Sequence, residues 1–147
     1  MVWTPRVTVA AIVENDGRFL LVEELAEGRL VFNQPAGHLE DGETLIEACR
    51  RETLEETGWK VEPEAVVGVY RRIEPGNGLT TLRVCFSARA VQHYPDQPLD
   101  TGIKRAVWLD RTQLAACVDR HRTELVMRCL DDYLGGARHP LSLLADI

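Results

Sequence analysis

The feature that most constrains this chain is a helix whose two ends can both be read from the residues. In the stretch GHLEDGETLIEACRRETLEETGW, residues 37 to 59, Thr44 followed by Glu47 forms a capping-box pattern, with Asp41 and Glu43 just upstream. Gly58 is placed to take the left-handed C-terminal cap. The spacing predicts a helix from about residue 44 to 57. At about 100° per residue, Glu52, Glu55 and Glu56 share one arc. Ile46, Cys49, Thr53 and Thr57 occupy the adjoining arc and are expected to face the core, while Glu47, Arg50 and Leu54 face solvent. The three glutamates therefore border the buried edge, as residues lining a cleft do.

Carboxylates three and four apart on a helix repel one another, so positive charge must come from elsewhere. Arg51 can pair with Glu55 across one turn, and a solvated acidic face is the commoner fate of such a cluster. The preceding loop, PAGHLEDGE, favours a different answer. Its glycines and proline allow a tight turn that brings a backbone carbonyl near the carboxylates. Several carboxylates plus a carbonyl match the oxygen-only, octahedral demand of magnesium, which commonly joins protein carboxylates to substrate phosphates.

Around the helix the chain reads as strands. RVTVAAIV and RFLLVEEL flank ENDG, whose Asp16-Gly17 pair is a hairpin signal. RLVFNQPAG is a third extended piece. Further strands are expected at AVVGVYRRI, at LTTLRVCFSARAV and, after a proline-rich loop over residues 93 to 102, at RAVWL. From Arg111 to Leu134 the pattern turns helical, with Leu114, Val118, Leu125, Met127, Cys129 and Leu130 among its apolar positions, and Gly135-Gly136 ends it. This order predicts an α+β or α/β architecture, a mixed sheet covered by helices.

At 147 residues, with no repeat, linker or low-complexity tract, the chain is expected to form one domain over residues 1 to 147. A net charge of -6 argues against coating polymeric nucleic acid. It does not exclude a small phosphorylated ligand, because a divalent cation reverses the local field. Cys49, Cys85, Cys117 and Cys129 lack the close pairing of a zinc site and are expected to be reduced thiols. No signal peptide or membrane-length apolar run is visible, so a cytoplasmic protein without membrane contact is expected.

The stretch 37–59 resembles the Nudix box, G-x5-E-x7-R-E-U-x-E-E-x-G-U, where U is bulky and apolar. Gly37, Glu43, Arg51, Glu52, Glu55, Glu56 and Gly58 stand at its fixed positions with every spacing correct, and Trp59 fills the last apolar one. Thr53 departs from the usual leucine at the first U position. The resemblance implies the Nudix α/β/α sandwich and a hydrolase acting on nucleoside diphosphates linked to another moiety, or on related pyrophosphates. It implies that Glu52, Glu55 and Glu56, with the carbonyl of Gly37, hold Mg²⁺ (or Mn²⁺ in its place). Arg51 and Glu43 would orient those carboxylates, and the metal would activate a water for attack on phosphorus. Glu55, Glu52 and Asp100 are all candidates for the base.

The wider segments VTVAAIVENDGRFLLVEE and FNQPAGHLEDGETLIEA are similar to a bacterial phosphatase branch of the family, the NudJ type. That branch implies removal of phosphate from nucleoside tri- and diphosphates and from thiamine-type pyrophosphates. Competing expectations are cleavage of oxidised nucleotides and a non-catalytic nucleotide-sensing module. The carboxylate set, which a degenerate module usually loses, is intact here.

Outside the box, the amides of Asn33 and Gln34 are candidates to read a base edge or a phosphate, or else to satisfy loop backbone. His38 is a candidate phosphate donor when protonated. Arg6, Arg71, Arg72 and Arg83 are strand arginines able to clamp phosphate. Arg83 is the strongest of them, sharing strand parity with Thr81 and Cys85. Trp3, Phe32 and Tyr70 offer faces for stacking on a base, although packing or surface coverage is their commoner role. His121 and His139 are expected to be structural or exposed. A monomer or a homodimer is equally compatible with the sequence.

Overall fold

A computed structural model describes residues 1–147. The strands are β1 (Arg6–Asn15), β2 (Arg18–Ala26), β3 (Arg29–Asn33), β4 (Ala36–His38), β5 (Trp59–Ile73), β6 (Thr80–His93) and β7 (Ile103–Asp110). The helices are α1 (Leu45–Thr57), α2 (Arg111–Ala115) and α3 (Leu125–Leu134). The seven strands form one mixed sheet in the order β3-β2-β1-β6-β5, with β4 paired to β1 and β7 to β2. β1 runs parallel to β6 from Arg6 opposite Thr81 to Val13 opposite Ala88, and antiparallel to β4. Its pairing with β2 is confined to the base of the hairpin, where Asp16 and Gly17 take φ of 51° and 74° as the turn signal requires.

Period-two alternation in β1 sorts the core into two layers. Val9, Ala11 and Val13 pack with Ala48 and Cys49 of α1, Val84 and Phe86 on one face. Ala10 and Ile12 pack with Cys85, Val126, Cys129 and Leu130 on the other, under α3. Each fully buried side chain of the size of Ile12 or Phe86 contributes roughly 1.5–3 kcal/mol. A sheet buried on both faces needs helices on both, and α1 and α3 supply them.

Helix α1 follows the expected boundaries. Thr44 caps it with a complete capping box, and Gly58 closes it at φ 74°. Cys49, Thr53 and Thr57 are buried as expected, while Ile46 is only half-buried and Ala48 takes its place in the core. The C-terminal helix is a correction. The segment expected as one helix over Arg111–Leu134 is α2, a 3-10 turn at Val118–Arg120, an extended passage, and α3. Pairing with β3 breaks it: the Arg122 N–H donates to the Phe32 carbonyl and His121 bridges Phe32 in parallel. Val118 is consequently 63% exposed, and Val126 enters the core instead. All four cysteines are free, with Cys49, Cys85 and Cys129 buried. No helix is long and apolar enough to cross a membrane.

Candidate active site

The site is organised around the short strand β4 and the helix that follows it. Gly37 pairs with Val9 and His38 with Thr8, so the loop before α1 is pinned to the central strand. A Cβ built on Gly37 would lie 2.1 Å from the Glu52 carboxyl carbon and 2.3 Å from both its oxygens. Glycine is required there because the carboxylate rests directly against the backbone. Glu52, Glu55 and Asp100 each place an oxygen within 4.8 Å of the others. Asp100 reaches this group from the loop before β7 because its N–H donates to the Glu55 carbonyl at 3.0 Å. Glu56 sits beside Glu52 and accepts from the Ala36 N–H at 2.9 Å.

A single guanidinium sits among these anions. Arg51 contacts Glu43 at 2.6 Å, Glu52 at 2.8 Å, Glu55 at 3.3 Å and Glu40 at 3.5 Å, and also donates to the His38 carbonyl at 3.0 Å. Its hydrogen bonds to Glu43 raise Arg51 above the ordinary arginine range despite partial burial. The same contact lowers Glu43 below the usual carboxylate range. One guanidinium does not balance the group. Burial raises Glu52, and it raises Glu56 to about 8, with the charges of Glu24, Glu52 and Asp100 adding to the effect. Clustered oxygens carrying surplus charge, with glycine clearing the space beside them, fit a hard divalent cation.

Glu52 and Glu56 open into a cleft of about 520 Å³. Glu24, Glu40, Glu52 and Glu56 line it, as do Arg6, Arg72, Arg83 and Arg122, with Thr8, Thr81 and Thr123 between. Its only apolar linings are Ala36 and Leu125. Of the strand arginines proposed from sequence, Arg6, Arg72 and Arg83 reach this cleft and Arg71 does not. Asn33 and His38 line it, whereas Gln34 lies behind it, fully buried, with its amide donating to the Val126 carbonyl at 2.8 Å. None of the three aromatic candidates lines it: Trp3 is 70% exposed, Phe32 is core, and Tyr70 donates to Asp132 at 2.7 Å. His121 is structural, its Nε2 at 2.7 Å from the Leu114 carbonyl. His139 joins Val66 through the backbone.

Glu24, Arg122 and Thr123 reach the cleft without a sequence signal. Glu24 is turned there by an irregularity in β2 between Glu23 and Glu24, and Arg122 pairs with it at 2.7 Å. Arg122 and Thr123 lie in the passage that breaks the expected helix.

Known proteins share this fold. The NUDIX domain model matches residues 4–129. The chain belongs to the Nudix family. Phosphatase NudJ of Escherichia coli K12 is 38% identical over 142 residues, covering 97% of this chain and 92% of that one. A Nudix hydrolase from Nitrosomonas europaea is 49% identical, covers 98% of both chains and superimposes with a TM-score of 0.96. A MutT Nudix hydrolase from Burkholderia pseudomallei, 23% identical, shares the fold at a TM-score of 0.72 over 88% of this chain and 98% of its own. This Nudix chain is thus a hydrolase of the Nudix hydrolase and phosphatase class, whose members act on small phosphorylated substrates and generally use divalent metals.

Proposed function

We propose that this Nudix protein is a Mg²⁺-dependent phosphatase of nucleoside di- and triphosphates or thiamine-type pyrophosphates, releasing orthophosphate. The observation that carries the reading is the anion-rich carboxylate group of α1, whose Glu52 and Glu56 open into a cleft also lined by Arg6, Arg72, Arg83 and Arg122. The identity to a phosphatase over nearly the whole chain supports the same class. Glu52, Glu55, Glu56 and Asp100, with the carbonyl of Gly37, would hold Mg²⁺ or Mn²⁺. When bound, the cation supplies charge to phosphate oxygens and acidifies a water.

The protein's own residues do the rest. Arg51 and Glu43 fix the carboxylates in place, so they act by positioning. The Glu52, Glu55 and Asp100 group offers acceptors for the proton released by the attacking water. Arg83, His38 and Asn33 receive the anionic end of the substrate, and Gln34 braces Arg83 from behind. No aromatic ring lines the cleft, so it lacks a stacking platform for choosing among bases. That favours phosphate recognition over the base-selective cleavage of oxidised nucleotides.

A panel of nucleoside triphosphates, diphosphates and thiamine-type pyrophosphates, with separate detection of orthophosphate and pyrophosphate, tests this. Orthophosphate alone is expected, and Glu56→Gln should reduce its release at least about a hundredfold without unfolding the protein. Pyrophosphate as product would move the reading to nucleotide-pool cleaning. Turnover of none of these would leave a sensing module.

A further inference from the structure

Two departures from regular structure meet at one point of the cleft wall. In β2 the ladder with β7 slips between Glu23 and Glu24, and after α2 the helical pattern gives way to an extended passage before α3. Irregular strands re-aim side chains and gather beside functional sites, as do places where local pattern and fold disagree. Each departure here delivers one charged residue to the cleft, Glu24 from the first and Arg122 from the second. They stand 98 residues apart in the chain, and Arg122 Nη1 donates to Glu24 Oε1 at 2.7 Å.

The pair is not what holds the passage down. The Arg122 N–H already donates to the Phe32 carbonyl at 2.8 Å, and His121 bridges the same residue. The position is also unfavourable for an anion. The Glu24 side chain is only 12% exposed, and its charge acts on the Glu56 carboxyl. An anion kept there serves to hold a cation there. Arg122 is 47% exposed, and its Nε and Nη2 have no protein partner. Arg51 differs, because all three of its nitrogens are engaged, by Glu43, Glu52, Glu55 and the His38 carbonyl. Beside the α1 carboxylates, Arg122 is the guanidinium with donors to spare.

We propose that Arg122 is a catalytic residue that meets the phosphoryl group under attack, and that Glu24 positions it. This rests on the hydrolase reading. In that reaction the water oxygen bonds to phosphorus, and the bridging P–O bond breaks with its electron pair left on the departing oxygen. The water's proton passes to a carboxylate of the Glu52, Glu55 and Asp100 group. Charge spreads over the non-bridging oxygens in the transition state, and Arg122, keeping its own proton, donates to them. Arg83, His38 and Asn33 hold the ground state in this reading, so Arg122 acts on rate more than on affinity.

The test is steady-state kinetics of the full chain on nucleoside di- and triphosphates. Arg122→Ala should lower kcat at least about a hundredfold and change KM less than about threefold. Millimolar guanidinium should restore part of the rate to this variant and add nothing to wild type, a recovery that a purely structural role would not give. Glu24→Gln frees Arg122 from its tether and should lower kcat about tenfold with KM kept. If Arg122→Ala does not fold, Glu24→Gln alone decides. Unchanged kcat in the folded variants, a loss confined to KM, or a loss that guanidinium leaves untouched overturns the proposal while an active wild type keeps the hydrolase reading. A wild type that hydrolyses none of these substrates sinks both.

Discussion

Two clusters in this Nudix protein mix carboxylates with guanidinium groups, and their charge balance is opposite. On β2, Glu23 is 3% exposed and meets two arginines, Arg105 at 2.9 Å and Arg120. Burial alone would raise its carboxyl, but the two arginines outweigh that and hold Glu23 below the usual range. Arg120 also lies 4.6 Å over the Phe32 ring, tying β3 as well as β2 to the turn after α2. On α1 the ratio is inverted, with one guanidinium among Glu40, Glu43, Glu52 and Glu55 while Asp100 adds charge and Glu56 a further carboxyl nearby. Here burial wins at Glu52 and Glu56 and raises both carboxyls. A carboxylate fully countered by arginines holds the fold together; an anion-rich cluster beside a cleft is held for something brought in from solution.

This contrast can be broken at either cluster. The largest effect is expected from Gly37→Ala. Its Cβ would displace the Glu52 carboxylate from 2.1 Å, so activity and cation affinity should fall about 10- to 100-fold. Steady-state kinetics and a thermal melt would check this, with the fold retained because only the flexible end of Glu52 has to move. Glu23→Gln should do the converse. It should cost about 1–3 kcal/mol in denaturant unfolding, less than a fully enclosed pair because Arg105 and Arg120 are 57% and 38% exposed. Activity per folded molecule should not change.

The pH dependence follows from the lowered carboxyl of Glu23. A depressed carboxylate contributes its full stability above the unfolded value, about 4.3, and loses it as pH falls through the lower folded value. Wild type and Glu23→Gln should therefore converge in stability below about pH 4, as acid-unfolding curves would show. The smallest effect is expected at Thr53, the departure from the box. Its hydroxyl is buried without a hydrogen bond and has only the Cys49 thiol, a weak partner, beside it. Thr53→Val should stabilise by up to about 1 kcal/mol and leave catalysis unchanged, read by chemical denaturation.

What could be read in advance divides along the same line as the physics. The boundaries of α1 follow from local chemistry, a capping box at Thr44 and a left-handed glycine at 58, and they held. So did the Asp16-Gly17 hairpin. The helix arc groups Glu52, Glu55 and Glu56, whereas the structure sets Asp100, read from sequence only as a candidate base, beside Glu52 and Glu55 through the backbone bond between Asp100 and Glu55. The break after α2 was not legible. Its cause is tertiary, the pairing of Arg122 and His121 with Phe32 some ninety residues earlier in the chain, and the apolar spacing over 111–134 carries no trace of it. Arg122 escaped notice for that reason, and Glu24 because the irregularity in β2 that turns it to the cleft leaves no mark in the apolar spacing. Gln34 was recognisable as polar and near the box. Only the packed α3, whose Val126 carbonyl it binds, turns it from the cleft to the support of Arg83.

The most direct test is a titration of Mg²⁺, then Mn²⁺, into wild type and Glu52→Gln, followed by calorimetry and thermal unfolding. If the surplus charge on α1 exists to hold a divalent cation, wild type binds saturably and gains about 2.7 kcal/mol at a hundredfold excess over Kd, and Glu52→Gln loses most of both. No binding heat and no stabilisation in wild type, or an equal response from Glu52→Gln, would contradict it.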